Sequence, residues 1–305
     1  MEITTALIKE LREKTGAGIL DCKSALTEAN GNMEEAEKIL RKKGLAAAAK
    51  KAGRAAAEGL VGYEVDGQTA ALVELNCETD FVAKTEDFGK ARQLLANFVF
   101  AASSLGDAPD GDGAVLHQMA APSGLRGATG TIGEWLQAAT ANTGENTQLR
   151  RFARLVAGKG AKISLYAHPG DKTVVVIETV GCDDVLARDI AMHVAALAPL
   201  YVNRDSVSPK ALADEREIAR AKAVAAGKPE AIAEKMVEGM ISKWFGEVVL
   251  VDQPFAKDDS KKVSQVVAER GEKDAKIVRF VRFKVGEGVE KKQGDYAAEV
   301  SALTK

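Results

Sequence analysis

TAALVELNCETDFVAK, residues 69–84, carries two instructions in one stretch. Val73, Leu75 and Cys77 recur at every second position, so they share one face of a strand. Just ahead, Asp66-Gly67 is a strong hairpin-turn signal, with Leu60 to Val65 as the partner strand. Just behind, Phe88, Ala91, Leu95 and Phe98 fall at helical spacing and predict a helix over about 86–102. The same order returns in KTVVVIETVGCDDVLARDIAMHVAA, residues 172–196: a buried strand, a cysteine followed by acidic residues, then a helix. Cys77 and Cys182 occupy matching places. The spacing therefore predicts an α+β fold built around two related subdomains.

Working outward, the N-terminal 55 residues read as three short helices. Thr4 or Thr5 caps the first, whose Leu7, Ile8 and Leu11 form an apolar stripe; Gly16 and Gly18 interrupt it. The second runs from Ile19 to about Ala29. Asn32 caps the third, with Glu35 at the capping-box position, Ala36, Ile39 and Leu40 on the buried side, and Gly44 as the stop. So small a bundle has little core and suits a docking module. Residues 45–58 (LAAAAKKAGRAAAE) read as an alanine-rich, basic tether or helix. Residues 103–130, rich in Gly, Ala, Ser, Asp and Pro, predict loops with a short helix near Val115–Met119. Leu149 to Val156 fits a basic strand or helix, and Ala161 to Ala167 a strand. Ser208 caps and Pro209 starts a helix to Ala226; Gly227-Lys228-Pro229 turns it into a second one. That second helix aligns Ile232, Met236, Met240 and Trp244 on one line, with Val237 and Ile241 beside it, giving a projecting antiparallel hairpin over 208–245. The tail predicts a helix from Val263 to Glu269, a strand from Ile277 to Val285, and a docked terminal helix from Tyr296 to Leu303. The expected division is 1–55, a ubiquitin-associated-like docking module; 56–148, a first core subdomain; 149–262, a second with the hairpin; and 263–305, a C-terminal module.

The chemistry that is missing narrows the function. Formal charge is −2, from 42 basic and 44 acidic residues, which argues against broad nucleic-acid binding. Aromatic residues are only 5%, too sparse for a base-stacking platform. No apolar run approaches the ~18 residues of a membrane helix, and the charged N-terminus lacks a secretory core, so the expected compartment is the cytoplasm. There is no GxxxxGK(S/T) phosphate loop, no GxGxxG after a strand, and no paired-ligand spacing among His117, His168 and His193. His193, among Ile190, Met192 and Val194, reads as a core or boundary residue. Cys22, Cys77 and Cys182 are too scattered for a metal site or disulfide framework. No enzyme active site, cofactor or metal is expected. A ribosome- or RNA-binding protein, a peptide adaptor and a cysteine enzyme are the competing classes.

One short segment remains. Glu78-Thr79-Asp80-Phe81-Val82 sits where a strand ends and a helix begins, a place that presents side chains outward on a rigid support. Two readings stand side by side: Asp80 and Phe81 form a carboxylate and apolar wedge, or Thr79 or Asp80 merely caps the helix while Phe81 enters the local core.

NCETDFVAK (76–84) resembles the signature of the elongation factor Ts family of bacterial type. So do ELREKTGAGILDCKSALTEANGN (10–32), IAMHVAA (190–196), GKPEAIAEKMVEG (227–239) and RFKVGEGVEK (282–291), in the same order, with 103–140 the weakest region. The resemblance implies a non-enzymatic guanine-nucleotide exchange factor for elongation factor Tu. It implies that Asp80 and Phe81, flanked by Thr79 and Val82, wedge into the partner's nucleotide domain near its magnesium ion. It implies that Arg12, Ile19, Leu20 and Lys23 of the N-terminal module contact the same domain. His168 resembles a histidine reaching towards the partner's phosphate loop, although the family often has Gln before it and no Pro after it. Met236 and Val237 match an interface patch, with packing inside the hairpin as the alternative. Asn142-Thr143-Gly144-Glu145-Asn146 resembles a further family segment, but a larger apolar residue commonly replaces Thr143, so no contact is carried over to it. A homodimer within a 2:2 complex is left open; direct nucleic-acid and membrane contacts are not expected.

Overall fold

In the computed structural model, which describes residues 3–128, 130–226 and 229–289, the chain folds into stacked layers of helix and antiparallel sheet. Helices α1 (Thr5–Thr15), α2 (Ile19–Glu28) and α3 (Met33–Lys51) come first. Strands β1 (Glu58–Val65) and β2 (Thr69–Cys77) form the expected hairpin, followed by the one-turn α4 (Asp80–Ala83) and by α5 (Glu86–Ala101). Then come β3 (Ala108–Asp112), α6 (Ile132–Thr143) and β4 (Gln148–Val156). The second half adds β5 (Lys162–Ala167), β6 (Thr173–Val180), α7 (Asp184–Leu197), α8 (Pro209–Ala225), α9 (Glu230–Val248), the short β7 (Pro254–Phe255) and β8 (Asp258–Lys262), α10 (Val263–Arg270) and β9 (Lys276–Lys284).

Strand order is β1-β2-β4-β3 in the first sheet and β5-β6-β9 in the second. Alternation along β2 explains how the layers stack. Ala71, Val73, Leu75 and Cys77 join Phe88, Leu95 and Trp135 in one core, under α5 and α6. Ala70 and Leu72 point the other way and meet Leu155, Val174, Val176 and Phe283 between the two sheets. Along β6, Val175 and Ile177 face a third core with Leu186, Ile190, Val194 and Val263, under α7 and α10. With both faces covered, β2 and β6 are buried almost end to end, as continuous apolar runs require.

Several elements depart from expectation. The third helix does not stop at Gly44 but runs on to Lys51. Four consecutive alanines with high helix propensity outweigh one glycine, and the glycine has a packing use: a Cβ there would lie 3.4 Å from the Ala141 Cβ on α6. Of the two readings of Leu149 to Val156 the strand holds, paired with both β2 and β3. The region 103–130, expected as loops with a short helix near Val115–Met119, does carry a short 3-10 helix over Gly113–Gln118 but also supplies edge strand β3; beyond it comes helix α6, capped by a Thr131–Glu134 capping box. The hairpin α8–α9 packs through Val237 and Ile241 against Ala219 and Ala223, while Ile232 is exposed; its inner line is therefore shifted by one position from the Ile232–Met236 line. Gly227, Lys228 and the expected helix 296–303 lie outside the described residues.

His193 is fully buried on α7. Its Nδ1 accepts the Ala256 N–H at 3.1 Å, so the ring proton sits on Nε2 and donates to Gln253 Oε1 at 2.9 Å. The ring stacks on Phe255. Burial pushes this imidazole below its ordinary value, against the Gln253 hydrogen bond. The folded state thus keeps His193 neutral, whereas the unfolded chain takes up a proton below roughly pH 6.5. Its contribution to stability is present above that pH and is lost as pH falls towards the folded value. Thermal melts are expected to show a fall in midpoint from about pH 7 to 5, flattened by His193→Gln.

Candidate partner-binding site

Where β2 ends, the chain turns sharply at Glu78 and Thr79 and makes the single turn of α4. Thr79 caps that turn, its Oγ1 accepting the Val82 N–H at 3.5 Å. Ala83 is buried and Val82 packs half-buried against the first core. With those two side chains turned inwards, the opposite side of the turn must face solvent. Phe81 stands there 79% exposed. Of the two readings of this segment, Thr79 as cap holds and Phe81 in the core does not. Asp80 pairs with Lys84 one turn on, at 2.6 Å, and that ammonium holds its carboxyl below the usual carboxylate range.

The turn is pinned from outside. The Glu145 carboxylate accepts the backbone N–H of Glu78 at 3.1 Å, that of Thr79 at 2.9 Å and the Thr79 hydroxyl at 2.6 Å. In return, Glu78 accepts the Asn146 N–H at 2.7 Å. The buried Asn146 side chain donates to the carbonyls of Ala52 and Arg54, just beyond α3, at 3.3 and 2.7 Å. Cys77, with its thiol pushed up to about 12 by burial, donates to the Thr79 carbonyl at 3.1 Å. A thiol so held is a packing residue with a weak hydrogen bond, not a nucleophile.

The β5–β6 hairpin comes to the same side. Its tip residue Asp171 takes a positive φ of 52°, and its carbonyl accepts the Val61 N–H from β1. Its carboxylate pairs with Arg92 of α5 at 2.5 Å. Lys172 pairs with Glu58 at 2.7 Å, and its charge also acts on Asp80. His168 is exposed on this tip, its Nδ1 3.1 Å from the Tyr166 hydroxyl. The structure therefore brings the Thr79–Val82 turn and the His168 hairpin together through β1.

Arg12, Ile19, Leu20 and Lys23 lie apart, on the N-terminal helices. All four are exposed, Leu20 at 81% and Ile19 at 57%. These two aliphatic side chains stand outside the module's small core of Leu11, Cys22, Leu26 and Ala36. The module rests on the body through α3 against α6, with an Arg41–Glu134 ion pair and a bond from Asn142 to the Thr15 carbonyl at 3.0 Å. Met236 is half-buried, and Val237, 6% exposed, is taken up by the hairpin's own packing. Glu145 and Asn146 were not singled out as positioning residues by the sequence. Their one local signal is their place directly after Gly144, the left-handed C-cap of α6, where a chain leaves a helix in a fixed direction.

Among the described residues no group of three or more His, Cys, Asp or Glu side chains is arranged to hold a metal ion, and no helix is long and apolar enough to cross a membrane.

Residues 78–287 match the family described as elongation factor TS. Over 307 aligned residues the chain is 45% identical to elongation factor Ts of Methylococcus capsulatus, covering 100% of this chain and 99% of that one. It is 46% identical to elongation factor Ts of Thioalkalivibrio sulfidiphilus with the same coverage. Against elongation factor Ts of Syntrophotalea carbinolica it is 45% identical over the full length of both. With a family match over most of the chain and relatives this similar from end to end, the chain belongs to the elongation factor Ts family.

Proposed function

We propose that this chain is a guanine-nucleotide exchange factor for elongation factor Tu in translation elongation, acting in the cytoplasm by displacing GDP so that GTP can rebind. The observation that carries the reading is Phe81: a large aromatic side chain in water, on a turn whose backbone is pinned at its entry by the Glu145 carboxylate. An unpinned exposed aromatic would fold back; a pinned one is a preformed wedge. Asp80 brings a carboxylate beside it, and Thr79 and Val82 fix the direction of the pair.

The division of labour follows. Residues 1–55 dock through Arg12, Ile19, Leu20 and Lys23. Residues 56–148 carry the wedge. Residues 149–262 bring His168 and the helical hairpin with Met236 and Val237, and 263–305 complete the second sheet through β9. A GTPase holds its nucleotide with magnesium and a loop of backbone donors around the phosphates. Pushing an adjacent helix shifts those supports, and nucleotide leaves faster. By linkage, factor and nucleotide weaken each other's binding, so GTP in turn ejects the factor. No covalent step and no cofactor enter.

The test is release of a fluorescent GDP analogue from loaded elongation factor Tu. Substoichiometric protein is expected to accelerate it with turnover; no acceleration by folded protein overturns the proposal. In the same assay Cys77→Ser is expected to behave as the wild type, since the thiol stays protonated inside the core. Loss of activity in a folded Cys77→Ser protein would bring back the cysteine-enzyme class.

A further inference from the structure

We infer that Glu145 is a positioning residue for exchange: its carboxylate sets the angle at which the Asp80–Phe81 turn is presented, and with Asn146 it locks that turn to the exit of the N-terminal module. The inference rests on the exchange reading above and adds a role to a residue whose carboxylate hydrogen bonds go to Glu78 and Thr79, not to the Asp80 and Phe81 side chains.

The argument begins with α4 itself. A helix of one turn has no interior; it cannot hold its own geometry. Its exposed backbone N–H groups need partners from elsewhere. Two of the N–H groups entering the turn, those of Glu78 and Thr79, go to one oxygen of Glu145, while the Thr79 hydroxyl goes to the other. Two oxygens of one rigid group thus fix three donors at once. Charge-assisted bonds of this kind are short and directional. The return bond from Asn146 N–H to Glu78 closes a ring between the two segments.

Where Glu145 is held matters equally. It follows α6, and α6 is the surface on which α3 lies. Asn146 also grips the carbonyls of Ala52 and Arg54, where the chain leaves α3, and Arg54 pairs with Glu78 at 3.5 Å. The module's exit and the wedge are thus referenced to the same two residues. A partner seated on the module and wedged by Phe81 meets both at a fixed separation, so association energy from one can act as strain at the other.

The experiment uses the full chain. First, hydrogen–deuterium exchange is read on the peptide covering 77–83, without partner. Glu145→Ala is expected to speed exchange there by roughly tenfold while 172–196 stays protected. Second, stimulated GDP release is titrated. Glu145→Ala is expected to lower the maximal release rate by about ten- to a hundredfold, with a much smaller change in half-saturating concentration. Glu145→Gln restores most of both, because its carbonyl oxygen takes the two backbone donors and its amide faces the Thr79 hydroxyl. If Glu145→Ala does not fold, Glu145→Asp, which withdraws the carboxylate by one methylene, is expected to loosen the same peptide and slow release in the same sense. Unchanged protection of 77–83 overturns the inference on the protein alone, whatever its function. So does wild-type release by Glu145→Ala under conditions where Phe81→Ala is slow, or a loss confined to half-saturation. If Phe81→Ala itself releases GDP at the wild-type rate, the wedge reading fails while the exchange function stands, and if the wild type does not accelerate release the exchange reading fails; both are read separately from the anchoring.

Discussion

Phe81→Ala is expected to leave the fold untouched and to cripple exchange. The side chain is 79% exposed, so its removal creates no cavity and strips almost no buried area. Stability is expected to stay within about 0.5 kcal/mol of wild type, the range of ordinary surface substitutions. Function is expected to respond on another scale. Truncating a central aromatic anchor of a protein interface costs roughly 2 kcal/mol or more, about thirtyfold in affinity or rate. If Phe81 enters the partner only as the nucleotide site distorts, the loss falls on the maximal release rate and not on half-saturation. Asp80→Ala is expected to reduce release in the same assay, less steeply, because the Lys84 pair already satisfies that carboxylate in the free protein. Wild-type acceleration by both variants would move the working contacts elsewhere, with His168 on the neighbouring hairpin the next residue to change. A Phe81→Ala protein that melts well below wild type would show instead that the ring supports the fold.

The strands and helices of the two sheet layers were legible because each carries a periodic apolar pattern that burial then enforces. Val73, Leu75 and Cys77 alternate, and they do share one core. Asp66-Gly67 announces the β1–β2 hairpin, and Gly67 does take a positive φ, of 90°. Legibility failed where local and tertiary signals compete. Gly44 looks like a stop by itself; the alanine run after it carries the helix on, and its missing side chain serves the close approach of α6, which nothing near it in the sequence announces. Val237 and Ile232 are both apolar and both helical, and only the position of α8 decides which is covered. The candidate site divides the same way. Thr79, Asp80 and Phe81 announce a cap and a wedge by composition, but composition alone left Phe81 undecided between core and solvent. Glu145 could not be linked to that turn from the sequence, because a carboxylate accepting backbone N–H groups 66 and 67 residues away leaves no periodic trace.

Glu74 is expected to show the opposite profile from Phe81. It lies in the middle of β2, fully buried, on the side that faces the second sheet. Every neighbour within reach is a donor. Oε1 accepts from Arg150 at 3.1 Å, from the Asn76 amide at 3.2 Å and from the Gly286 N–H at 2.9 Å; Oε2 accepts from Arg151 at 2.6 Å. The arginines pass on to the Glu287 and Lys284 carbonyls, and Arg151 lies over the Phe283 ring. This one carboxylate therefore ties the first sheet to β9 and the turn after it. Gly286 can bring its N–H in only because its φ is 71° and because no Cβ stands 2.2 Å from the Ala57 carbonyl oxygen. Glu74→Gln is nearly isosteric, yet it turns an acceptor into an N–H₂ group facing only donors. It is expected to cost about 2–3 kcal/mol in chemical denaturation, as much as Glu74→Ala, because unsatisfied buried donors and an uncompensated cation dominate both. Arg150 and Arg151 keep partial access to solvent, which holds the cost below that of a fully enclosed pair. Hydrogen–deuterium exchange at 282–289 is expected to rise in both variants. A Glu74→Gln protein as stable as wild type would mean that the sheets are held by the apolar layer of Leu72, Val176 and Phe283 alone. The pair of outcomes separates two kinds of residue that one strand and its turn place seven positions apart: one that stabilises the framework and is invisible to a partner, and one that a partner meets and the framework does not need.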